Sequence, residues 1–520
     1  MKKVFMNIIF IISVLTCFSQ ISSLTKKQMY QDFDQLVKII EDGNPQLEVR
    51  KIVTGFHQLD TIKSLRKNID TITNNDNFNA LLNRVLFYCL DAHTYETNTY
   101  FSNYDNLKDI DTLAIIANAI YKDSVRNLPE NIKKRQLKDI EKFQLSVYSF
   151  DNQYYFIGDY NLISKNKDTL HINIMRLISY NGEEVGKYIE RNCEDDLRYD
   201  FLRQKYYYGT WGFKFPRQGT LKGYQDGKFI EINLADYPVA IMGSFVKKQY
   251  YEILFNEIPQ IEYKIDLYEK IVEFFEKDSI LYIYIDKMDK YEDLCNKIKD
   301  VGNGKRINKI VIDVRGNGGG SDMVWLKTLS AIIKDTLDWY VKLAYNDTKL
   351  IKEKFKGYHP IDKKEPIKWL NNKIFGIIEA IIKIEPDDNS LKYDGKIYLL
   401  SDRNTYSSAH SLVNFAEQSE QIVSIGTPTG RLVGFGIGPQ IFQLKNSKFT
   451  FRMPCVIDIT DCNKVADAYK DFHEVLVKPD FQEVMIYHIA LSPQNKAYNL
   501  KSEIYLRRHD TWFQKVLEME

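Results

Sequence analysis

Apolar residues recur at helical spacing in the first part of the chain. In DFDQLVKIIEDG, residues 32–43, they share one helix face, and Gly43 stands where a helix would end. Those apolar positions are Phe33, Leu36, Val37 and Ile40. The stretch FNALLNRVLFYCLDAHT, residues 78–94, repeats the pattern and runs into His93. The spacing predicts an N-terminal helical domain over residues 21–130.

From about residue 143 to residue 243 the pattern changes to short aromatic and β-branched runs. SVYSFDNQYYFIGDY and KFIEINLADYPVAIMG are typical of strands, and Asn181-Gly182 predicts a turn between a strand and a short helix. We therefore expect a β-rich module over residues 131–250. The charged segment from about Glu252 to Lys277 predicts a helical connector over residues 251–279.

Strand and helix patterns alternate between about residue 280 and residue 487. Four segments predict strands: ILYIYID, KIVIDV, KIYLLSD and QIVSIGT. KIVIDV is nearly continuously apolar, as a sheet buried on both faces requires. Alternating strands and helices predict parallel βαβ units, which usually bind ligands at the carboxyl ends of their strands. We expect an α/β core over residues 280–490, followed by a C-terminal extension over residues 491–520.

The first residues are typical of an export signal. Lys2 and Lys3 precede an apolar run over residues 4–15, which is too short to span a bilayer. We expect a signal peptide over residues 1–20 and an exported protein, periplasmic or extracellular. A buried N-terminal helix is the structural alternative. Cys17 is a second-choice lipid-attachment site, because the threonine before it departs from the small residue that such sites favour.

Composition narrows the possible functions. The 520 residues are 44% hydrophobic and 13% aromatic, which suits about three globular domains. With 71 basic and 70 acidic residues, no overall field favours nucleic acid or an anionic membrane. The cysteines that remain after the signal are five and irregularly spaced, so we expect no disulfide framework. No CxxC or HExxH motif announces a metal site, and we expect no cofactor.

Three consecutive glycines, Gly318, Gly319 and Gly320, follow the predicted strand KIVIDV. Without Cβ atoms they can adopt positive φ and present bare N–H groups to a ligand. Their spacing does not make GxGxxG, and no Gly-Lys-Ser/Thr follows, so the common nucleotide-binding loops are excluded. Two interpretations stay open: a tight turn from strand to helix, or an anion pocket such as an oxyanion hole.

The segment NTYSSAHSLVNFA, residues 404–416, places two serines and a histidine between a predicted strand and a predicted helix. Apolar spacing starts that helix near Ser408, so Ser407 or Ser408 can be its N-cap. A serine at such a corner is also where a nucleophile is exposed, with the next amide available to an oxyanion. His410 is only a second-choice base, because the positive end of the helix dipole opposes its protonation.

Four segments together resemble the serine peptidases of the carboxyl-terminal-processing and tricorn-core group: KIVIDVRGNGGG, TYSSAHSLVNFA, IGTPTG and, far upstream, LDAHT. The resemblance implies that Ser407 is the nucleophile, and that an amide of Gly318 or Gly319, with that of Ser408, forms the oxyanion hole. It also implies an α/β fold with a Clp protease/crotonase-like parallel-sheet catalytic core, an N-terminal helical region and a degenerate PDZ-like module around Asn181-Gly182.

This group uses either a Ser-Lys dyad or a His-dependent tetrad. The dyad needs a lysine just after the GTPTG-like segment, where this chain has Arg431 and Leu432, and arginine cannot accept a proton. The tetrad needs a histidine in a segment similar to Asp-Gly-His-Thr, which Asp91 to Thr94 matches with Ala92 in place of glycine. The resemblance therefore implies His93 as general base and acid. A buried histidine at a helix end is the structural alternative.

The remaining tetrad positions depart from the family. A glutamate often precedes a Pro-Asp pair like Pro479-Asp480; an ungapped match puts His473 there, with Glu474 next to it. Glu474 can orient His93 only if this loop is shifted. Ala92 stands where the tetrad has an auxiliary serine, and His410 replaces a glutamate that often follows the nucleophile.

The sequence thus predicts an exported serine-type endopeptidase that cuts peptide or protein substrates through an acyl-enzyme on Ser407. Membrane association is expected only if Cys17 is lipidated. The departures at Ala92, His410 and His473 favour an alternative, a non-catalytic peptide-binding protein on the same scaffold. A crotonase-type acyl-CoA enzyme is a third possibility, but it gives Ser407 and His93 no joint purpose.

Overall fold

The computed structural model describes three stretches of the chain. These are residues 24–97 apart from 55–56, 90 and 92; residues 142–242 apart from 146, 151–152, 165, 167, 193–196, 201–204, 209–212, 217 and 238; and residues 270–519 apart from 356–362, 403, 428–435, 469–472, 480–482 and 484–499. Several sequence predictions lie outside them: the signal peptide, Cys17, Ala92, Arg431, Leu432 and the connector up to residue 269.

The helices in the described residues are α1 Lys26–Gly43, α2 Gln46–Thr54, α3 Gln58–Ser64, α4 Asn75–Phe87, α5 Val185–Asn192, α6 Tyr291–Gly302, α7 Asp322–Ile332, α8 Lys349–Phe355, α9 Ser408–Ala416, α10 Glu503–His509 and α11 Thr511–Glu518. None of them is long and apolar enough to cross a bilayer.

The strands are β1 Tyr95–Glu96, β2 Lys142–Leu145, β3 Val147–Phe150, β4 Gln153–Ile163, β5 Thr169–Tyr180, β6 Glu183–Glu184, β7 Leu197–Asp200, β8 Lys205–Tyr208, β9 Phe213–Pro216, β10 Thr220–Gln225, β11 Lys228–Asn233, β12 Val239–Met242, β13 Ile271–Phe275, β14 Ile280–Tyr284, β15 Lys309–Asp313, β16 Leu337–Tyr345, β17 Lys364–Ile367, β18 Lys373–Ile384, β19 Ile397–Ser401, β20 Ile422–Gly426, β21 Gly436–Gln443, β22 Thr450–Asp458 and β23 Val475–Leu476.

The chain divides into two compact units, of which the first combines residues 1–106, 343–378 and 436–459. Helix α1 begins at a capping box formed by Thr25 and Gln28, and it ends at Gly43 as predicted. The buried face of α1 and the apolar residues of α4 form one core with residues of β21 and β22. The predicted helices of this region are confirmed over its described residues.

The second unit combines residues 107–342, 379–435 and 460–520 and contains a β-rich part. Its sheet has the strand order β11-β10-β5-β4-β12. After β5, Asn181 and Gly182 have φ of 50° and 80°, and β6 and α5 follow. Positive φ at both central residues is the geometry of a tight hairpin turn, so the predicted strand, turn and helix are confirmed.

The same unit holds a six-stranded sheet with the order β13-β14-β15-β19-β20-β23. The neighbours from β14 to β23 are parallel, and only β13 is antiparallel. Every residue of β19 and β20 is buried, and both α9 and α11 contact these strands. The predicted mixed α/β fold is confirmed, and the carboxyl ends of β15 and β19 meet at one edge.

One sequence prediction is wrong over its described residues. Residues 271–275 belong to the predicted helical connector, but they form strand β13, which pairs antiparallel with β14. The segment IVEFF is β-branched and aromatic, and its Phe275 is buried in the core beneath the sheet. Pairing with β14 and burial of this aromatic residue override the charged character of the neighbouring sequence.

Candidate active site

Ser407 occupies a sharp corner between β19 and α9. Its backbone has φ of 55° and ψ of −125°, a combination that side-chain-bearing residues rarely adopt. The residue stands at the N-cap position, yet its side chain makes no capping hydrogen bond. A serine held in a strained strand-to-helix turn is the arrangement of a nucleophile elbow. The capping role that the sequence left open is therefore not what the Ser407 hydroxyl performs.

The glycine loop after β15 lies directly against this corner. Gly319 has a φ of 99°, and a Cβ built on it would lie 2.4 Å from the Cβ of Ser407 and 3.0 Å from its Oγ. No side chain fits at that separation, because real Cβ atoms do not approach other heavy atoms within 3.0 Å. The glycine at position 319 is thus required for the contact with Ser407.

Hydrogen bonds fix the loop and the corner to each other. Three of them join the two segments: Tyr406 N–H to Asn317 O at 2.9 Å, Gly316 N–H to Asp402 Oδ1 at 2.9 Å, and Thr405 Oγ1 to Val314 O at 3.1 Å. Asn317 and Thr405 are buried. Ser407 and the glycines therefore form one connected structure rather than two independent loops.

The backbone amides near Ser407 differ in their availability. The Gly319 N–H donates to Asn317 Oδ1 at 2.8 Å. Among the residues that the structure describes, neither the Gly318 N–H nor the Ser408 N–H has a hydrogen-bond acceptor. Unused amides at such a corner can bind an anionic oxygen.

A buried cluster of charged residues lies at the end of β15, where the glycine loop begins. Asp313, the last residue of β15, accepts hydrogen bonds from Arg315, Lys501 and Tyr282. Arg315 also donates to Asp510 at 2.6 Å. Burial would raise the pKa of Asp313, but Arg315 and Lys501 outweigh it and hold that pKa well below its ordinary value. The cluster is therefore charged, and it fixes the direction in which the chain leaves β15.

The C-terminal residues of this cluster were not identified from the sequence. Asp510 caps α11 and pairs with Arg315, while the Trp512 ring packs 5.0 Å from the Arg315 guanidinium. The Trp512 Nε1 also donates to the carbonyl of Ser401, the last residue of β19. The sequence signals only a helix start at Asp510, because a carboxylate before an apolar helical pattern is an N-cap.

His93 lies in the first unit, in a buried turn between α4 and β1. Its backbone N–H donates to Asp91 Oδ1 at 2.6 Å, and its ring Nδ1 lies 3.8 Å from the same oxygen. Asp91 also accepts a hydrogen bond from Gln46 Nε2. Burial raises the pKa of the Asp91 carboxyl to about 6.

His473 and Glu474, a few residues before Pro479, have separate contacts in the second unit. His473 Nε2 lies 2.5 Å from the buried Ser401 Oγ, and burial lowers the His473 pKa to about 4. Glu474 is exposed, and its backbone N–H donates to Ser424 Oγ at 3.0 Å. His410 is a buried residue of the first turn of α9. None of the described residues forms a cluster of His, Cys, Asp and Glu that could hold a metal ion.

Comparison with known proteins finds one family model that is similar to a part of this chain. The family model of peptidase family S41 matches residues 279–482, which include the glycine loop, Ser407 and Glu474. No protein with a curated description matches the chain.

Several solved structures are similar at low identity. Mature CPAF complexed with lactacystin is 12% identical, with a TM-score of 0.49 over 89% of this chain and 95% of that one. The photosystem II D1 C-terminal processing protease is 10% identical, with a TM-score of 0.36 over 88% and 94%. The tricorn protease is 13% identical, with a TM-score of 0.30 over 82% of this chain and 32% of that one.

Proposed function

We propose that this chain, whose residues 279–482 match the model of peptidase family S41, is a serine-type endopeptidase with Ser407 as its nucleophile. The observation that carries the proposal is the strained corner at Ser407, whose side chain does not cap the helix and lies against Gly319. A capping serine needs neither a positive φ nor an adjacent side-chain-free backbone. A nucleophile that must be exposed beside an anion site needs both.

In the proposed reaction, Ser407 Oγ attacks the carbonyl carbon of a peptide bond. The Ser407 proton passes to His93, and the negative charge develops on the carbonyl oxygen. The amides of Gly318 and Ser408 are our choice for the oxyanion hole, since the Gly319 amide already donates to Asn317. The proton then moves from His93 to the leaving amine as the carbon–nitrogen bond breaks, and water hydrolyses the acyl-enzyme on Ser407.

Finer parts of this proposal rest on the resemblance and on the strand patterns. They include a Clp protease/crotonase-like core built on the parallel sheet and a PDZ-like module built on β4, β5, β10, β11, β12 and α5. The resemblance offers Glu474 as the residue that orients His93, and this role stays a prediction. Export to the periplasm or the outside of the cell rests on residues 1–20 alone, with anchoring only if Cys17 is lipidated.

The function is tested by hydrolysis of an unfolded protein substrate, with the fragments identified by mass spectrometry. We expect Ser407→Ala and His93→Ala to lose at least about 100-fold in rate. Ser411→Ala, which changes another serine of the same helix, should keep the wild-type rate. If Ser407→Ala still cleaves, Ser407 is not the nucleophile. If the wild-type protein binds the same peptides without cutting them, the non-catalytic alternative replaces the proposal.

A further inference from the structure

A base that becomes an imidazolium during catalysis needs an anion that stabilises its charge. The sequence offered Glu474 for this purpose, but Glu474 is exposed, and the neighbouring His473 is engaged with Ser401. Within its own unit, His93 has a buried carboxylate only two residues away, that of Asp91. Asp91 is therefore the candidate for the anion that orients His93.

Three contacts join Asp91 to the turn that carries His93. Asp91 Oδ1 accepts the backbone N–H of His93 at 2.6 Å, and the Asp91 carbonyl accepts that of Thr94 at 3.1 Å. This side-chain turn fixes the backbone that carries the imidazole. The same Oδ1 lies 3.8 Å from Nδ1 of the ring, a separation typical of an ion pair rather than of a hydrogen bond. One carboxylate oxygen thus acts on both the backbone and the ring of His93.

The other carboxylate oxygen of Asp91 is held from helix α2. Gln46 Nε2 donates to Asp91 Oδ2, and Gln46 Oε1 accepts from Arg50 Nη2 at 3.3 Å. Asp91, Gln46 and Arg50 are all buried, so this chain of contacts is shielded from water. Its geometry is therefore preorganised before any substrate binds.

We propose that Asp91 is the positioning residue for His93: its buried carboxylate fixes the histidine turn and stabilises the imidazolium that forms when His93 takes the Ser407 proton. The inference rests on the proposed function through the role of His93. It assigns to Asp91 the task that the resemblance gave to Glu474. Asp91 does not itself take up a proton in the reaction.

Charges around the pair set the pH range in which Asp91 acts. Burial raises the pKa of Asp91 to about 6, whereas Arg50, Gln46 and Arg452 oppose this rise. The neighbouring Cys89 thiol has its pKa raised to about 12 by burial and by Asp91, so it stays neutral. Asp91 is consequently an anion above about pH 6 and loses its charge below it. Support for the imidazolium should fade over the same range.

The variant that separates the two roles of Asp91 is Asp91→Asn. Asparagine keeps the oxygen that accepts the His93 N–H, but it removes the negative charge. We expect the His93 imidazole pKa, followed by NMR of histidine-labelled protein, to fall by about one unit. The kcat/KM for peptide hydrolysis should fall about 10-fold or more, with a shifted acidic limb in its pH profile. Asp91→Glu should recover part of the loss.

Matched variants make the result decisive. Asp32→Asn removes another buried carboxylate of the first unit, one that accepts backbone N–H groups of Asn446 and Ser447, and it should leave the His93 pKa unchanged. An unchanged His93 pKa in Asp91→Asn overturns the inference. A shift of the His93 pKa in Glu474→Gln, without one in Asp91→Asn, also overturns the inference.

The NMR readout also separates the inference from the proposed function. The NMR titration requires no hydrolysis. A wild-type protein that fails to cleave peptides therefore refutes the proposed function, and the titration still tests whether Asp91 interacts with His93. If Asp91→Asn does not fold, titration of the wild-type protein tests the inference instead. The Asp91 carboxyl carbon and the His93 ring should then show the same two titration steps, and independent titration contradicts the inference.

Discussion

A Cβ on Gly319 would lie 2.4 Å from the Cβ of Ser407, so the residue opposite the proposed nucleophile has to be glycine. The glycine run and the serine segment are separated by nearly ninety residues in sequence, yet backbone and side-chain hydrogen bonds join them. Their contact is the feature on which the catalytic proposal depends.

Gly319→Ala should abolish activity while leaving a folded protein. The new methyl group meets Ser407 and the Tyr406 carbonyl, and it also sits at a φ of 99° that alanine rarely adopts. We expect at least about a 100-fold loss in hydrolysis, measured with circular dichroism as the check on folding.

The control for this change is Gly304→Ala. Gly304 also has a positive φ, of 68°, but a Cβ there meets no atom within 4 Å. Gly304→Ala therefore introduces the same kind of backbone strain, worth about 1 kcal/mol, without a collision with neighbouring atoms. Wild-type activity in Gly319→Ala would show that the loop does not need to lie against Ser407.

Asp510→Asn should destabilise the second unit and slow hydrolysis. The change removes the charge that Arg315 contacts at 2.6 Å, and it leaves a buried guanidinium with less compensation. Loss of one partner of a buried ion pair costs about 3 kcal/mol of unfolding free energy, which urea denaturation measures.

The matched change for Asp510 is Asp394→Asn. Asp394 pairs with Lys334 at the surface, where solvent screens the charges, so no measurable loss is expected. Equal effects of the two substitutions would mean that the cluster around Arg315 contributes no more than a surface pair.

His473→Gln should flatten the dependence of stability on pH. Burial lowers the His473 pKa to about 4, whereas the unfolded chain has the ordinary value of 6.5. Between these values the unfolded state binds a proton that the folded state does not, so the wild-type protein loses stability as the pH falls through this window. The loss amounts to about 2–3 kcal/mol, and it should be smaller in the variant.

Urea unfolding from about pH 4 to about pH 7 measures this slope. His57→Gln serves as the comparison, because the His57 side chain is 54% exposed. We expect it to keep the wild-type slope. The same slope in His473→Gln and the wild-type protein would contradict the burial of a neutral His473 against Ser401.

Much of the core could be predicted because its signals are local. The apolar runs that became β14, β15, β19 and β20 are short and bounded, and the start of α9 at Ser408 follows from apolar spacing. The meeting of Gly319 with Ser407 also follows from sequence logic. Both residues come after strands of a parallel sheet, whose carboxyl ends share one edge.

The remaining features depend on partners that are distant in sequence. Nothing local indicates that Asp510 pairs with Arg315, or that His473 faces Ser401. The state of residues 271–275 was mispredicted because a five-residue segment takes its conformation from its pairing partner, here β14. The conformation of Ser407 also lies beyond sequence patterns, because its φ of 55° is maintained by the surrounding contacts rather than by its own propensity.

The most direct test of the account is covalent labelling with a fluorophosphonate probe, with the modified residue mapped by peptide mass spectrometry. We predict a single adduct on Ser407 in the wild-type protein, none in Ser407→Ala, and strongly slowed labelling in His93→Ala. Labelling that persists in Ser407→Ala, or a folded wild-type protein that takes up no label, would contradict Ser407 as an activated nucleophile.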